Sequence, residues 1–153
     1  MGYHNRRNQR GQNQNNGPNE INEIINKINK LEKLADMSVK DFADEGGYAD
    51  IVAKNSKKLN TNQLRKFFGA VRLMEQKDNL TWDAVEPDFY ILKPRLAVSV
   101  GRGNITRDFY NLMMATMRKV DIGNDEDKLN GFKNFVNFFE AIVAYHKFYY
   151  PRG

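Results

Sequence analysis

The chain has 153 residues, a formal net charge of +5 and no cysteine. That length suits one domain, over residues 19–153, able to bury a core without covalent staples, and 41% hydrophobic residues supply the material for it. Without cysteine, disulfides, thiolate metal sites and a cysteine nucleophile are excluded. No apolar run approaches the ~20 residues that span a bilayer, and the first thirty residues hold no apolar core of a signal peptide. A cytoplasmic protein with no membrane partner is the expectation.

Residues 1–18 (MGYHNRRNQRGQNQNNGP) are rich in Asn, Gln, Gly and Arg and contain no acid. Such a segment buries too little surface to offset its ordering entropy, so a disordered basic tail is expected. Arg6, Arg7 and Arg10 lie in it, so three of the five excess charges belong to the tail and two to the rest. Any nucleic-acid reading of the remainder therefore rests on local clustering rather than on bulk charge.

From Asn19 the pattern is helical. Ile21, Ile24, Ile25, Ile28 and Leu31 recur at helix spacing, with Asn19 as the expected cap. Residues 37–58 predict shorter helical pieces broken at Gly46-Gly47. A helix from about Asn60 to Asp78 follows, capped by Asn60 or Thr61, with Leu64, Phe67, Phe68, Val71 and Met74 as its stripe. The stretch DNLTWDAVEPD predicts turns. A helix from about Asp88 to Val100 is expected to be kinked or split at Pro94 and to end at Gly101 and Gly103. Thr106 caps a helix bearing Phe109, Leu112, Met113, Thr116 and Val120, and Asp121 to Asp127 predict an acidic loop. The last helix, about Lys128 to Tyr149, is apolar over most of its girth. Its polar strip is narrow (Lys133, Asn137, Glu140, Lys147), as befits the centre of a bundle. No segment alternates with period two. The fold expected is all-α, a bundle of about five to six helices.

Little in the sequence supports catalysis. The two histidines are His4, in the tail, and His146, on the apolar face of the last helix, where a hydrogen-bonded core residue is expected. Zinc needs more ligands than these. Gly101-Arg102-Gly103-Asn104 follows a helix and lacks a phosphate-loop lysine. The acids Asp121, Asp125, Glu126 and Asp127 lack calcium-loop spacing. Neither catalytic residues, metal nor cofactor is expected; the one enzymatic alternative is a metal-independent nuclease using His146.

Basic residues cluster in two places. Arg65, Gly69, Arg72 and Gln76 follow the i, i+4, i+7, i+11 spacing and share a helix face. Gly69 within a helix costs ~1 kcal/mol relative to alanine; it either lets a phosphate backbone approach or permits a tight helix crossing. Between Asp88 and Asp108 there is no acid, yet Lys93, Arg95, Arg102 and Arg107 all occur. Arg95, Ser99 and Arg102 would share a face. Arg102, at the helix end, could hold a phosphate jointly with nearby backbone N–H groups. Neither cluster has the aromatic motif of a sequence reader, so backbone contacts that weaken with salt are expected.

Three segments, NQLRKFFGAVR (Asn62 to Arg72), LKPRLAVSVGR (Leu92 to Arg102) and FVNFFEAIVAYHKFYY (Phe135 to Tyr150), together resemble the small subunit of type III-A CRISPR effector complexes, the Csm-type complexes. The resemblance covers roughly Asn60 to Tyr150. It implies a helical, non-catalytic protein whose copies stack into an inner filament, contact the target RNA beside the CRISPR RNA, and join the other type III-A subunits in antiviral defence. It implies RNA contacts at Arg65, Lys66, Arg72, Lys93, Arg95 and Arg102. Val98 departs from the family, which often has a tyrosine there, and residues 20–58 match only loosely. The competing reading is a helical adaptor that binds only protein.

Overall fold

The structure, a computed structural model, describes residues 16–152, with side chains from residue 20 onward. The basic tail expected over residues 1–18 lies outside the described residues as far as residue 15. Residues 16–18 open the first helix, α1 (Asn16–Lys30). It therefore begins three residues before the predicted cap at Asn19, with Pro18 in its first turn, where proline is tolerated.

A 3-10 turn (Leu34–Asp36) leads to two short helices, α2 (Val39–Ala43) and α3 (Tyr48–Lys54). The break between them falls at the glycine pair, as predicted. Gly46 has φ +75°, and a side-chain carbon at Gly47 would sit 2.5 Å from the Asp41 carbonyl oxygen. Four long helices follow: α4 (Thr61–Glu75), α5 (Trp82–Gly101), α6 (Arg107–Val120) and α7 (Asp125–Tyr149). No residue among those described forms a strand.

Caps explain several boundaries. The Asn60 side chain accepts from the Asn62 and Gln63 amides, and Thr106 accepts from that of Phe109. The predicted acidic loop ends earlier than expected. Asn124 and Asp127 form a reciprocal capping box, so Asp125, Glu126 and Asp127 become the first turn of α7. Their charges face the positive end of that helix.

The largest departure is α5. Predicted as turns and then a helix kinked or split at Pro94, it is not split but runs on as one helix through Pro87 and Pro94. Its buried residues Trp82, Val85, Phe89, Leu92, Leu96 and Ser99 alternate spacings of three and four, a continuous apolar seam. Both prolines are exposed on the opposite face. The carbonyls that they leave unpaired, those of Asp83 and Tyr90, belong to exposed residues within reach of water.

α7 packs against α2, α3, α4, α5, α6 and the 3-10 turn, whereas α1 packs on α6 and α3. Phe132, Phe135, Phe138, Phe139 and Ile142 of α7 are fully buried. Phe139 meets Phe68, Phe109 and Phe135 at centroid separations of 5.7, 5.9 and 6.2 Å. Polar bonds then fix the register of the outer pieces. Asn134 donates to the carbonyls of Leu34 and Met37 at 2.9 and 3.1 Å, and the Tyr145 hydroxyl to that of Ala43 at 2.7 Å.

His146 is the buried core residue expected. A carbonyl only accepts, so the 2.9 Å contact between Nε2 and the Ser56 carbonyl places the proton on Nε2. In the neutral ring Nδ1 then accepts from the Thr61 hydroxyl at 3.1 Å. Burial lowers the His146 pKa below its usual value, against the opposing pull of carbonyl contacts from Ser56 and Leu59.

Replacing Phe139 by alanine is expected to cost about 3–5 kcal/mol in urea titration; a loss under ~1 kcal/mol would contradict its central placement. Stability should also depend on pH through His146. Above pH ~6.5 the ring is neutral folded and unfolded; below it the unfolded chain takes up a proton that the folded chain resists. The urea midpoint should therefore fall between about pH 7 and pH 5, more steeply in the parent than in His146→Gln. Equal slopes would refute the coupling.

Candidate nucleic-acid interface

α4 and α5 lie side by side, and their exposed flanks leave a groove between them. One part, about 370 Å³, is lined by Phe67, Ile91, Pro94, Arg95, Val98, Ser99 and Arg102. A second part, about 350 Å³, shares Ile91 and Arg95 and continues past Ala70 and Leu73 to Lys77 and Asp88. Lys77 closes that end, pairing with Asp88 at 3.1 Å and donating to the Ala84 carbonyl at 2.7 Å. The floor is apolar: Leu73, Ile91 and Val98 are 70%, 50% and 50% exposed, unusual for side chains of this size.

Of the six basic residues singled out by the sequence, the structure brings Arg95 and Arg102 together. They stand two turns apart on one face of α5, about 10 Å along its axis, and both line the groove. Both are exposed, and neither forms an ion pair among the described residues. Ser99, expected between them on that face, points inward and is buried.

Lys93 is not part of this pair. At 100° per residue it lies across the helix from Arg95 and Arg102. Its ammonium sits 4.7 Å from the centroid of the Tyr90 ring. The Tyr90 hydroxyl bonds the Asp121 carboxylate and holds its pKa below the usual range, with Lys128 and then Lys93 adding to the effect. Lys93 thus belongs to a separate cluster where α5 meets the α6–α7 connection.

On α4, Arg65 and Lys66 are exposed and without ion pairs among the described residues. Arg72 is different. It lies 3.7 Å from Glu140 on α7 and 3.9 Å from Glu75, with its guanidinium 5.8 Å from the Phe68 ring centroid. Arg65 and Arg72 share the flank of α4 that faces α7, away from the α5 groove, with Gly69 between them.

Two expectations need correction. The backbone around Arg102 has no spare N–H groups. The amides of Arg102, Gly103, Asn104 and Ile105 bond the carbonyls of Val98, Val100, Ser99 and Ser99, closing the helix in a Schellman turn with Gly103 at φ +74°. This is moreover the negative end of α5, so anion affinity there falls to the guanidinium alone. The helix crossing considered for Gly69 is also absent: a side-chain carbon would meet no heavy atom within 4 Å.

The apolar floor escaped the sequence reading, which assigned Phe67 to a core stripe and did not place Leu73, Ile91 and Val98. Their signal was faint: apolar residues at positions flanking the buried seams of α4 and α5 rather than within them.

Since Gly69 is unconstrained, Gly69→Ala should stabilise the fold by about 0.5–1 kcal/mol in urea titration; destabilisation would mean a contact at this position.

The family model for Csm2 Type III-A matches residues 39–152. This extends the sequence resemblance upstream, through α2 and α3, where it was loose. No curated protein and no solved structure matches the chain. The family match spans most of the chain and takes in the groove, both arginine clusters and all of α7; the chain belongs to the Csm2 Type III-A family and is a small subunit of type III-A CRISPR Csm complexes.

Proposed function

We propose that the protein is a non-catalytic inner-filament subunit of the type III-A RNA-guided surveillance complex, acting in the cytoplasm in antiviral defence. It binds the backbone of the target RNA, beside the CRISPR RNA, and stacks with sister copies and other effector subunits. The observation that carries this reading is the pair Arg95 and Arg102: two exposed guanidinium groups without ion pairs, aligned on one face of a helix segment free of acids. Like charges so placed repel one another until a polyanion neutralises them. Guanidinium groups suit phosphate oxygens because their donors form a fixed fork.

The other four residues contribute from different directions. Lys66 stands on the outer face of α4. Arg65 and Arg72 occupy its α7 side, and Lys93 the far flank of α5. The six therefore surround α4 and α5 rather than forming one line, and Arg95 and Arg102 are the aligned pair among them. Support for a non-catalytic role comes from His146, whose two ring nitrogens are both engaged in the core.

A protein-only adaptor remains the second reading, favoured by the exposed Leu73, Ile91 and Val98. The experiment that separates them uses the double variant Arg95→Ala/Arg102→Ala and a labelled single-stranded RNA, with affinity measured across a salt series. Loss of affinity is expected, with the log–log salt slope shallower by roughly 0.7 per lost contact. Unchanged affinity and slope would leave the groove to a protein partner.

A further inference from the structure

α4 and α7 run antiparallel: Thr61 meets His146, Phe68 meets Phe139, and Arg72 meets Glu140. In that register the exposed strip of α7 lies alongside the Arg65–Arg72 flank of α4. Lys147 falls near the Arg65 turn, Glu140 near Gly69 and Arg72, and Lys133 beyond them toward Gln76. Lys133, Glu140 and Lys147 are all exposed. The shallow part of this seam, at Gly69, carries no side chain, and cations stand on both sides of it.

Three observations favour a polyanion here. Nothing within the described residues accounts for a glycine in the middle of α4, since its α-carbon faces open space; close approach by something outside the chain does account for it. None of the large exposed apolar side chains lies on the seam; they are Val39, Leu73, Tyr90, Ile91, Val98 and Phe148. Lys and Glu are poor material for the core of a protein–protein contact, and Lys and Arg are good material for phosphates. Finally, the cations are loosely held. Lys147 has only a 3.3 Å bond to the Pro151 carbonyl, and Arg72 is shared between two carboxylates at long range.

We propose that the α4–α7 seam is a second track for the RNA backbone, in which Lys133 and Lys147 join Arg65 and Arg72 as phosphate contacts and Glu140 acts as an acidic brake on Arg72. This rests on the RNA-binding reading above. In the free subunit Glu140 neutralises Arg72, so a phosphate must displace a carboxylate before it gains that contact. The brake lowers affinity for stray RNA without removing the site.

The test compares variants of the full chain for binding to a labelled uridine oligoribonucleotide across a salt series, with a urea titration of each. Glu140→Gln should bind about two- to fivefold more tightly, the range set by the strength of exposed ion pairs. Lys133→Gln/Lys147→Gln should bind more weakly, with a slope shallower by roughly 1.4 for two lost contacts. Gly69→Gln should raise the urea midpoint yet weaken binding, a combination that a purely structural glycine does not give. The proposal is overturned if Glu140→Gln fails to tighten binding and Gly69→Gln binds like the parent. It is also overturned if the seam variants alter only self-association in sedimentation. The groove variant Arg95→Ala/Arg102→Ala, measured in parallel, reports on the underlying reading: loss there with unchanged seam variants discards the second track and keeps the RNA-binding function.

Discussion

Phe132, Phe135, Phe138, Phe139 and Ile142 on α7 lose all contact with water, and His146 is buried just beyond them. A helix so apolar has to be surrounded, and the other helices are arranged to do that. α4 and α7 meet along the rings of Phe68 and Phe139, while α2 meets it through Phe42 and Phe138. Burial at ~25 cal/mol per Å² of apolar surface has no directional preference. Direction comes from the polar bonds along α7, where Asn134, Tyr145 and His146 each reach a backbone carbonyl of an outer segment. Apolar packing supplies the stability, and these bonds set the register.

That arrangement decides where charge goes. With the inner face of α4 committed to α7 and the seam of α5 to the core, their cations are left on the flanks. Several acids are placed elsewhere: at the first turn of α7, where they complement the helix dipole, and around α2 and α3. The result is a subunit with basic helix flanks on a modest net charge. Sequence-independent attachment to a strand needs little more than this, because phosphate contacts position a protein without reading bases.

Most of the architecture was legible in the sequence because it follows from apolar spacing and caps. The stripe of α4, the Thr106 cap, the glycine break between α2 and α3, and the buried histidine all obey local rules. α5 was misread because two prolines and a turn-like composition outweighed a seam of six buried residues, and tertiary packing reversed that balance. The first turn of α7 was misread because three acids look like a loop until the Asn124 cap places them at a positive helix end. The candidate site was legible in parts. Charge and spacing found Arg95 and Arg102, and the same rules grouped Lys93 with them because its opposite placement emerges only once α5 is continuous. The occupation of the Arg102 backbone amides by a Schellman turn required coordinates, since it depends on the φ of Gly103.

The two prolines of α5 have a mechanical meaning as well. They stand seven residues apart on the same outer face, so two hydrogen bonds, two turns apart, are missing on one side of the helix while the packed side keeps its ladder. A rod weakened on one edge bends more readily about that edge than about any other. α5 forms one wall of the groove, so bending it widens or narrows the space beneath Arg95 and Arg102. The fold thus pairs a stiff axle, α7, with a compliant wall.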